Sequence, residues 1–204
     1  MALHVARGDG VDVVGLLTTV NADANRVAMH AVRRELLERQ SERLGLPLHV
    51  VEIPYACPND EYEAAMLGAV AVARRDGVDT MVFGDLFLAD IRAYREAMLA
   101  GTGIEACFPL WERPTAALAE EMLDAGMRAV LTCVDPRVMP RELAGRTFDR
   151  RLLDDLPPGV DPCGELGEFH TFCVEAPGFS APVNVSPGVV VERDGFVFAD
   201  LVPA

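Results

Sequence analysis

The 204-residue chain is 50% apolar and 25% charged, enough for one large core or for two small domains sharing a seam. Its 18 basic residues face 32 acidic ones, a net charge of −14, which argues against a general nucleic-acid or anionic-membrane binder because phosphates would meet a repulsive field. Every basic residue is arginine, so a Schiff-base lysine and a lysine-bearing phosphate loop are both excluded within these residues.

Residues 11–20, VDVVGLLTTV, are nearly all apolar, the pattern of a strand buried on both faces. Asn21 and Asp23 follow as turn and capping residues, and residues 24–44 read as one long helix closed by Gly45 and Pro47. LHVVEIP at 48–54 is the next strand. Asn59 can cap a helix over 60–75, whose acidic start and Arg74–Arg75 end match the helix dipole. A third strand at 80–83 runs into Gly84-Asp85, and 88–100 is helical again. This alternation with short connections predicts a parallel sheet covered by helices.

The second half is more mixed. It reads as a short strand at 105–110, a helix over 116–125 after Pro114, a buried strand at 127–134 and one or two helical turns within 141–154. A Gly/Pro-rich loop then leads into a strand at 171–175. Two strands, 183–192 and 195–202, form a hairpin around Arg193-Asp194-Gly195. A soft boundary near 101–103 divides the chain into a parallel-sheet domain, 1–102, and a smaller α+β domain, 103–204.

The five cysteines, Cys57, Cys107, Cys133, Cys163 and Cys173, are scattered and make no C-x-x-C, so they read as buried thiols rather than as disulfides or zinc ligands. No apolar run nears the roughly 20 residues of a membrane span, and MALHVARGDG is not a secretory leader. A cytoplasmic protein with no membrane or nucleic-acid partner and no metal site is expected.

Ligands of open parallel sheets bind beyond the carboxyl ends of the strands. Two such ends are polar: Thr18-Thr19-Val20-Asn21, and Gly84-Asp85, where a glycine permits close approach and a carboxylate can take a hydroxyl or metal. A tight turn with a capping Asp accounts for Gly84-Asp85 as well. On a helix after Asn21, Arg26, His30 and either Arg33 or Arg34 share one face, suiting a phosphate or carboxylate, or else a solvated face paired with Glu35 and Glu38. Arg92 and Arg95, three apart, have the same two readings. The densest cluster is CGELGEFHT at 163–171: two carboxylates, an imidazole and a hydroxyl among glycines. Glycines free backbone N–H groups for a ligand, and the carboxylates can hold an amine, take a proton or bind magnesium.

GELGEFHT resembles the GEGGE-(Y/F)-(E/H)-T signature of the diphthine–ammonia ligases and their bacterial ATP-pyrophosphatase relatives. Three further stretches agree in order: LLTTVN…MHAVRRELLERQSERLGLPL, VFGDLFLADIRAYRE and FPLWERPTAALAEEML. The resemblance implies a HUP-like (adenine nucleotide alpha hydrolase-like) α/β domain binding ATP with Mg2+, followed by a smaller acceptor-site domain. It implies activation of a carboxylate with pyrophosphate release, then attack by ammonia or another amine. The acceptor would be a small molecule or a modified residue, and a homodimer is compatible with it. Carried over by position, Thr18, Asn21, Gly84 and Asp85 would bind nucleotide, and His30, Arg33 and Arg95 would face the cleft. Gly164, Gly167 and Thr171 would line the acceptor side, with Glu165, Glu168 and His170 catalytic.

One part of the pattern is missing. The family opens with a strand and an SGGKDS-like phosphate loop, and nothing here matches it; Met1-Ala2-Leu3-His4 resembles the middle of the helix that follows that loop. An upstream start supplying the loop is the expectation, with a binding module that has lost catalysis as the alternative. The 204 residues alone are expected to bind ATP poorly and to leave inner strand edges unpaired.

Overall fold

In the computed structural model, which describes residues 1–27 and 30–204, the first half is built on parallel strand pairs. Helix α1 (Ala2–Gly8) precedes strands β1 (Leu16–Asn21) and β2 (Arg26–Val27), helix α2 (Arg34–Leu44) and strand β3 (Leu48–Ile53). Then come α3 (Asn59–Arg75), β4 (Thr80–Val82), α4 (Ala89–Leu99) and β5 (Glu105–Cys107). β1 runs parallel to β3, from Leu16 opposite Leu48 to Asn21 opposite Ile53, and β4 runs parallel to β5. Among the described residues no strand joins β1 to β4, so the single parallel sheet expected from the alternation is divided into two pieces. Among the described residues, the far edge of β1 is paired only at Val20 and Asn21, by β2, and β4 has a strand partner on one side alone.

Three expectations for this half are corrected. Residues 11–15 are not strand, because pairing begins only where β3 lies opposite: the Leu16 N–H bonds the Pro47 carbonyl at 2.9 Å, just before β3 starts. The long helix over 24–44 is not formed either. Asn21 Oδ1 accepts the Ala24 N–H at 2.8 Å, and β2 folds back antiparallel on β1. The Val27 N–H is taken by the Val32 carbonyl, and Asn25 and Ala31 have φ of 51° and 53°, left-handed values that no helix interior holds. The helix therefore starts at Arg34 and ends, as read, at left-handed Gly45. In α3 the cap position is Pro58 rather than Asn59, whose Nδ2 donates to Glu63 Oε1 at 2.7 Å.

The second half is antiparallel. It comprises α5 (Thr115–Asp124), β6 (Arg128–Val134), β7 (Thr147–Phe148), α6 (Arg150–Asp155), β8 (Phe169–Glu175), β9 (Val185–Arg193) and β10 (Phe196–Pro203). β6 is the buried spine. β8 runs along one side of it, while β7 at Ala129–Val130 and β10 at Cys133–Val134 share the other. The β9–β10 hairpin closes through Asp194 and Gly195, at φ of 53° and 82°, the two-residue turn that Asp-Gly specifies.

The cores cross between the halves. Leu131, Val134, Phe148, Leu152, Phe169 and Val197 pack within the antiparallel half. Leu36 of α2 packs instead with Phe172, Val183 and Leu201, so α2 lies against the antiparallel sheet. Leu86, after β4, packs with Leu110, Leu118, Val5 and Cys163.

A part-buried cluster of one carboxylate and two arginines reinforces that seam. Asp200 on β10 accepts from Arg26 Nη1 at 2.8 Å and from Arg33 Nε and Nη2 at 3.1 and 2.6 Å. Gly188 on β9 makes room for it: a Cβ there would stand 3.0 Å from both Cβ and Oδ2 of Asp200. Burial pushes the Asp200 carboxyl up, but hydrogen bonds from Arg33 and Arg26 outweigh burial and hold it at about 2. A depressed carboxylate contributes stability above its ordinary value of 3.8, and that stability is lost as pH falls toward 2. Asp200→Asn is expected to cost about 2 kcal/mol in urea unfolding at neutral pH, with the deficit closing between about pH 4 and pH 2.

Candidate functional site

The glycine-rich loop is organised by its own carboxylates. Gly164 and Gly167 take φ of 71° and 84°, and a Cβ at Gly164 would lie 2.7 Å from the Phe169 carbonyl oxygen, so only glycine fits there. Asp161 Oδ2 accepts the N–H groups of Cys163 and Glu165, at 3.2 and 2.9 Å. Glu168, buried, accepts the Asp161 N–H through Oε1 at 2.9 Å and the Leu166 N–H through Oε2 at 3.0 Å. Both of its oxygens are engaged within the loop, which Glu168 braces.

Glu165 reaches away from the loop. Its Oε1 accepts the Leu86 N–H at 2.7 Å, in the turn after β4. Burial raises its pKa, the bonds from the Leu86 and Phe87 N–H groups oppose this, and the charges of Asp85 and Asp161 raise it further. The contact brings the GELGE loop onto Gly84-Asp85, two segments that lie 79 residues apart in sequence. Asp85 is itself paired: Arg95 Nε and Nη2 donate to its two carboxylate oxygens at 2.7 and 3.1 Å, and the Arg95 guanidinium lies 4.6 Å from the Phe83 ring centroid.

His170 on β8 stacks on His30 with ring centroids 4.4 Å apart and planes tilted by 33°. Burial lowers both pKa values, and the neighbouring His30 lowers His170 further, to about 4. Both imidazoles are therefore neutral near pH 7. Thr171 follows in β8 opposite Leu131.

The other residues singled out in the sequence fall elsewhere. Thr18 lies within β1 opposite Val50, and buried Asn21 uses Oδ1 on its own turn. The cationic helix face does not exist, because Arg26, His30 and Arg33 precede α2; Arg26 and Arg33 neutralise Asp200 instead. Two contributors were not singled out in the sequence. Asp161 carries a local signal, Asp-Pro ahead of a glycine. The Leu86 N–H carries none, since a backbone donor has no residue signature.

Triphosphate recognition needs several converging N–H donors or cations. Here the Leu86 donor is taken by Glu165, and Arg33 and Arg95 are paired with carboxylates, so these residues do not form a triphosphate cradle. Among the described residues no three His, Cys, Asp or Glu side chains converge as metal ligands.

Residues 114–197, which hold the loop and the antiparallel half as far as the start of β10, match the family described as diphthamide synthase C-terminal domain. The chain is also 27% identical to diphthine–ammonia ligase of Homo sapiens over 161 residues, 76% of this chain and 60% of the human protein. The Bos taurus protein of the same name is 27% identical over 149 residues, 55% of its length, and that of Danio rerio 27% over 184 residues, 72% of its length. The chain is thus similar to the diphthine–ammonia ligases, and the matched region spans little more than half the length of the human and bovine proteins.

The two glutamates respond differently to amidation. Gln at 168 presents an NH2 to one of two buried N–H donors, so Glu168→Gln is expected to lower stability by about 1–3 kcal/mol in chemical unfolding. Gln at 165 keeps an acceptor for Leu86 and removes repulsion from Asp85 and Asp161, so Glu165→Gln should leave the thermal midpoint unchanged or raised. For His170, the unfolded imidazole protonates near 6.5 while the folded one resists to about 4. Stability should therefore fall with pH through that window, and NMR of the His170 ring should place its midpoint near the lower value.

Proposed function

We propose that the chain carries the acceptor side of an amide-forming ligase, in which an activated carboxylate is attacked by ammonia. The observation that carries this reading is the Glu165 bond to the Leu86 N–H. It seats the family loop on the carboxyl end of a parallel strand, where open α/β sheets bind their ligands. With Asp85 neutralised by Arg95, Glu165 and Asp161 give this junction negative charge suited to drawing in ammonium, and neutral His30 and His170 would belong to its acceptor side. The α/β half is read as HUP-like and the protein as cytoplasmic.

In ligases of this class, ATP with Mg2+ would supply the adenylate and release pyrophosphate. The Leu86 N–H, Arg33 and Arg95 are already engaged with carboxylates, so the phosphates would need donors other than these. Calorimetry of the 204-residue chain with ATP and magnesium is expected to show no saturable binding; tight magnesium-dependent binding would remove this division of labour.

The amide-forming half can be tested without ATP. With a preformed acyl-adenylate and 15N-ammonium, the ammonia nitrogen attacks the acyl carbon, the carbon–oxygen bond to AMP breaks, and the nitrogen loses a proton to solvent. The chain should accelerate labelled amide formation over buffer, and Glu165→Gln should slow it at least about tenfold. Binding of the adenylate without ammonolysis would assign the chain to a binding module that lacks catalysis.

A further inference from the structure

The cations nearest the candidate site are mostly neutralised. Arg26 and Arg33 face Asp200, Arg95 faces Asp85, and Arg34 faces Glu38 and Glu52. Arg92, one turn before Arg95 on α4, is paired too, with Glu96, but only through Nε. Its Nε donates to Glu96 Oε1 at 2.8 Å, and among the described residues neither terminal nitrogen makes a hydrogen bond.

Aromatic rings hold this guanidinium in place. Its central carbon lies 4.9 Å from the Phe108 ring centroid and 4.7 Å from that of Trp111. Phe108 stacks on Phe83 with centroids 5.4 Å apart and planes 22° off parallel, and Trp111 meets Phe108 edge-on at 6.0 Å. Phe83 follows β4 directly and Phe108 follows β5 directly, so the shelf stands at the carboxyl ends of the second strand pair. It is also tied to the junction described above, since the Glu112 N–H bonds the Leu86 carbonyl at 2.7 Å.

The chemistry of such an arrangement is specific. Ring faces restrain a guanidinium and reduce the entropy lost when it binds. With Nε occupied by Glu96, the two terminal nitrogens remain as a planar fork, the geometry that pairs with two oxygens of a carboxylate or phosphate. The side chain is 35% exposed, so a ligand can reach it. We propose that Arg92, seated on Phe108 and Trp111, anchors a carboxylate of the acceptor. This rests on the acceptor reading above and replaces Arg33 and Arg95 as its anionic anchor.

Trp111 is the only tryptophan in the chain and lies under the proposed anchor, so its fluorescence reports binding without any turnover. The probes are acetate, glutarate, inorganic phosphate and pyrophosphate, titrated at constant ionic strength into the 204-residue protein. A saturable emission change with a carboxylate is expected. Arg92→Gln should weaken it at least about tenfold, and Arg92→Lys, which keeps the charge but loses the fork, by a smaller factor. Arg150→Gln, a surface control on α6, should bind like the parent, and far-UV circular dichroism checks that each variant is folded. Saturation by phosphate or pyrophosphate alone would overturn the carboxylate assignment. No saturation by any anion, or unchanged affinity in folded Arg92→Gln, would overturn the anchor itself. Carboxylate binding lost in Arg92→Gln, together with failure of the ammonolysis assay, would sink the ligase reading and leave the anchor standing.

Discussion

One hydrogen bond, from the Leu86 N–H to the Glu165 carboxylate, makes a site out of two separate pieces of chain. The Leu86 donor lies in a turn after a parallel strand, and its acceptor in a loop of the antiparallel half. A part-buried carboxylate bonded to N–H groups is strongly directional and costly to leave unmade. The rest of the loop serves that placement. Asp161 and Glu168 take N–H groups within the loop and fix its shape, and the Gly164 conformation brings its backbone against the Phe169 carbonyl.

Charge pairing is the second constraint. In a chain with net charge −14 whose only cations are arginines, each guanidinium has many carboxylates to meet. Planar bidentate pairing places Arg33 on Asp200 and Arg95 on Asp85, with Arg26 adding a single bond to Asp200. Those pairs bind segments together: Asp200 ties the turn before α2 to β10, and the Leu36 cluster packs behind it. An arginine engaged in this way is poor at holding a ligand, because its partner would have to be displaced first. Arg92 is held mainly by ring faces, which restrain its plane without occupying its terminal donors.

The alternation of apolar runs and amphipathic segments made β3, α3, β4 and α4 legible in the sequence, because burial on one face or both leaves a period in the residues. The β9–β10 hairpin was equally legible through Asp194-Gly195, since a two-residue turn demands left-handed backbone at both positions. The GELGEFHT loop stood out for its glycines and ionisable groups, and its likeness to a family signature agrees with the match over residues 114–197. The segment after β1 was misread for a physical reason. Its residue types tolerate a helix; Asn21 is legible as a turn residue, but nothing local reveals that β2 folds back and pairs with β1.

By itself, the sequence determined β3, α3, β4 and α4, where the late hairpin turns, and which loop is similar to the diphthine–ammonia ligases. These properties are carried by local spacing, turn chemistry and a contiguous motif. Only the tertiary structure decided the roles inside that motif. Glu165 and Glu168 are the same residue type three positions apart, yet one clasps a distant backbone N–H and the other braces its own loop. Tertiary structure likewise decided which arginines keep free donors, because a guanidinium's partner is set by carboxylates and rings that the fold brings within a few ångströms. Sequence spacing holds no record of those neighbours.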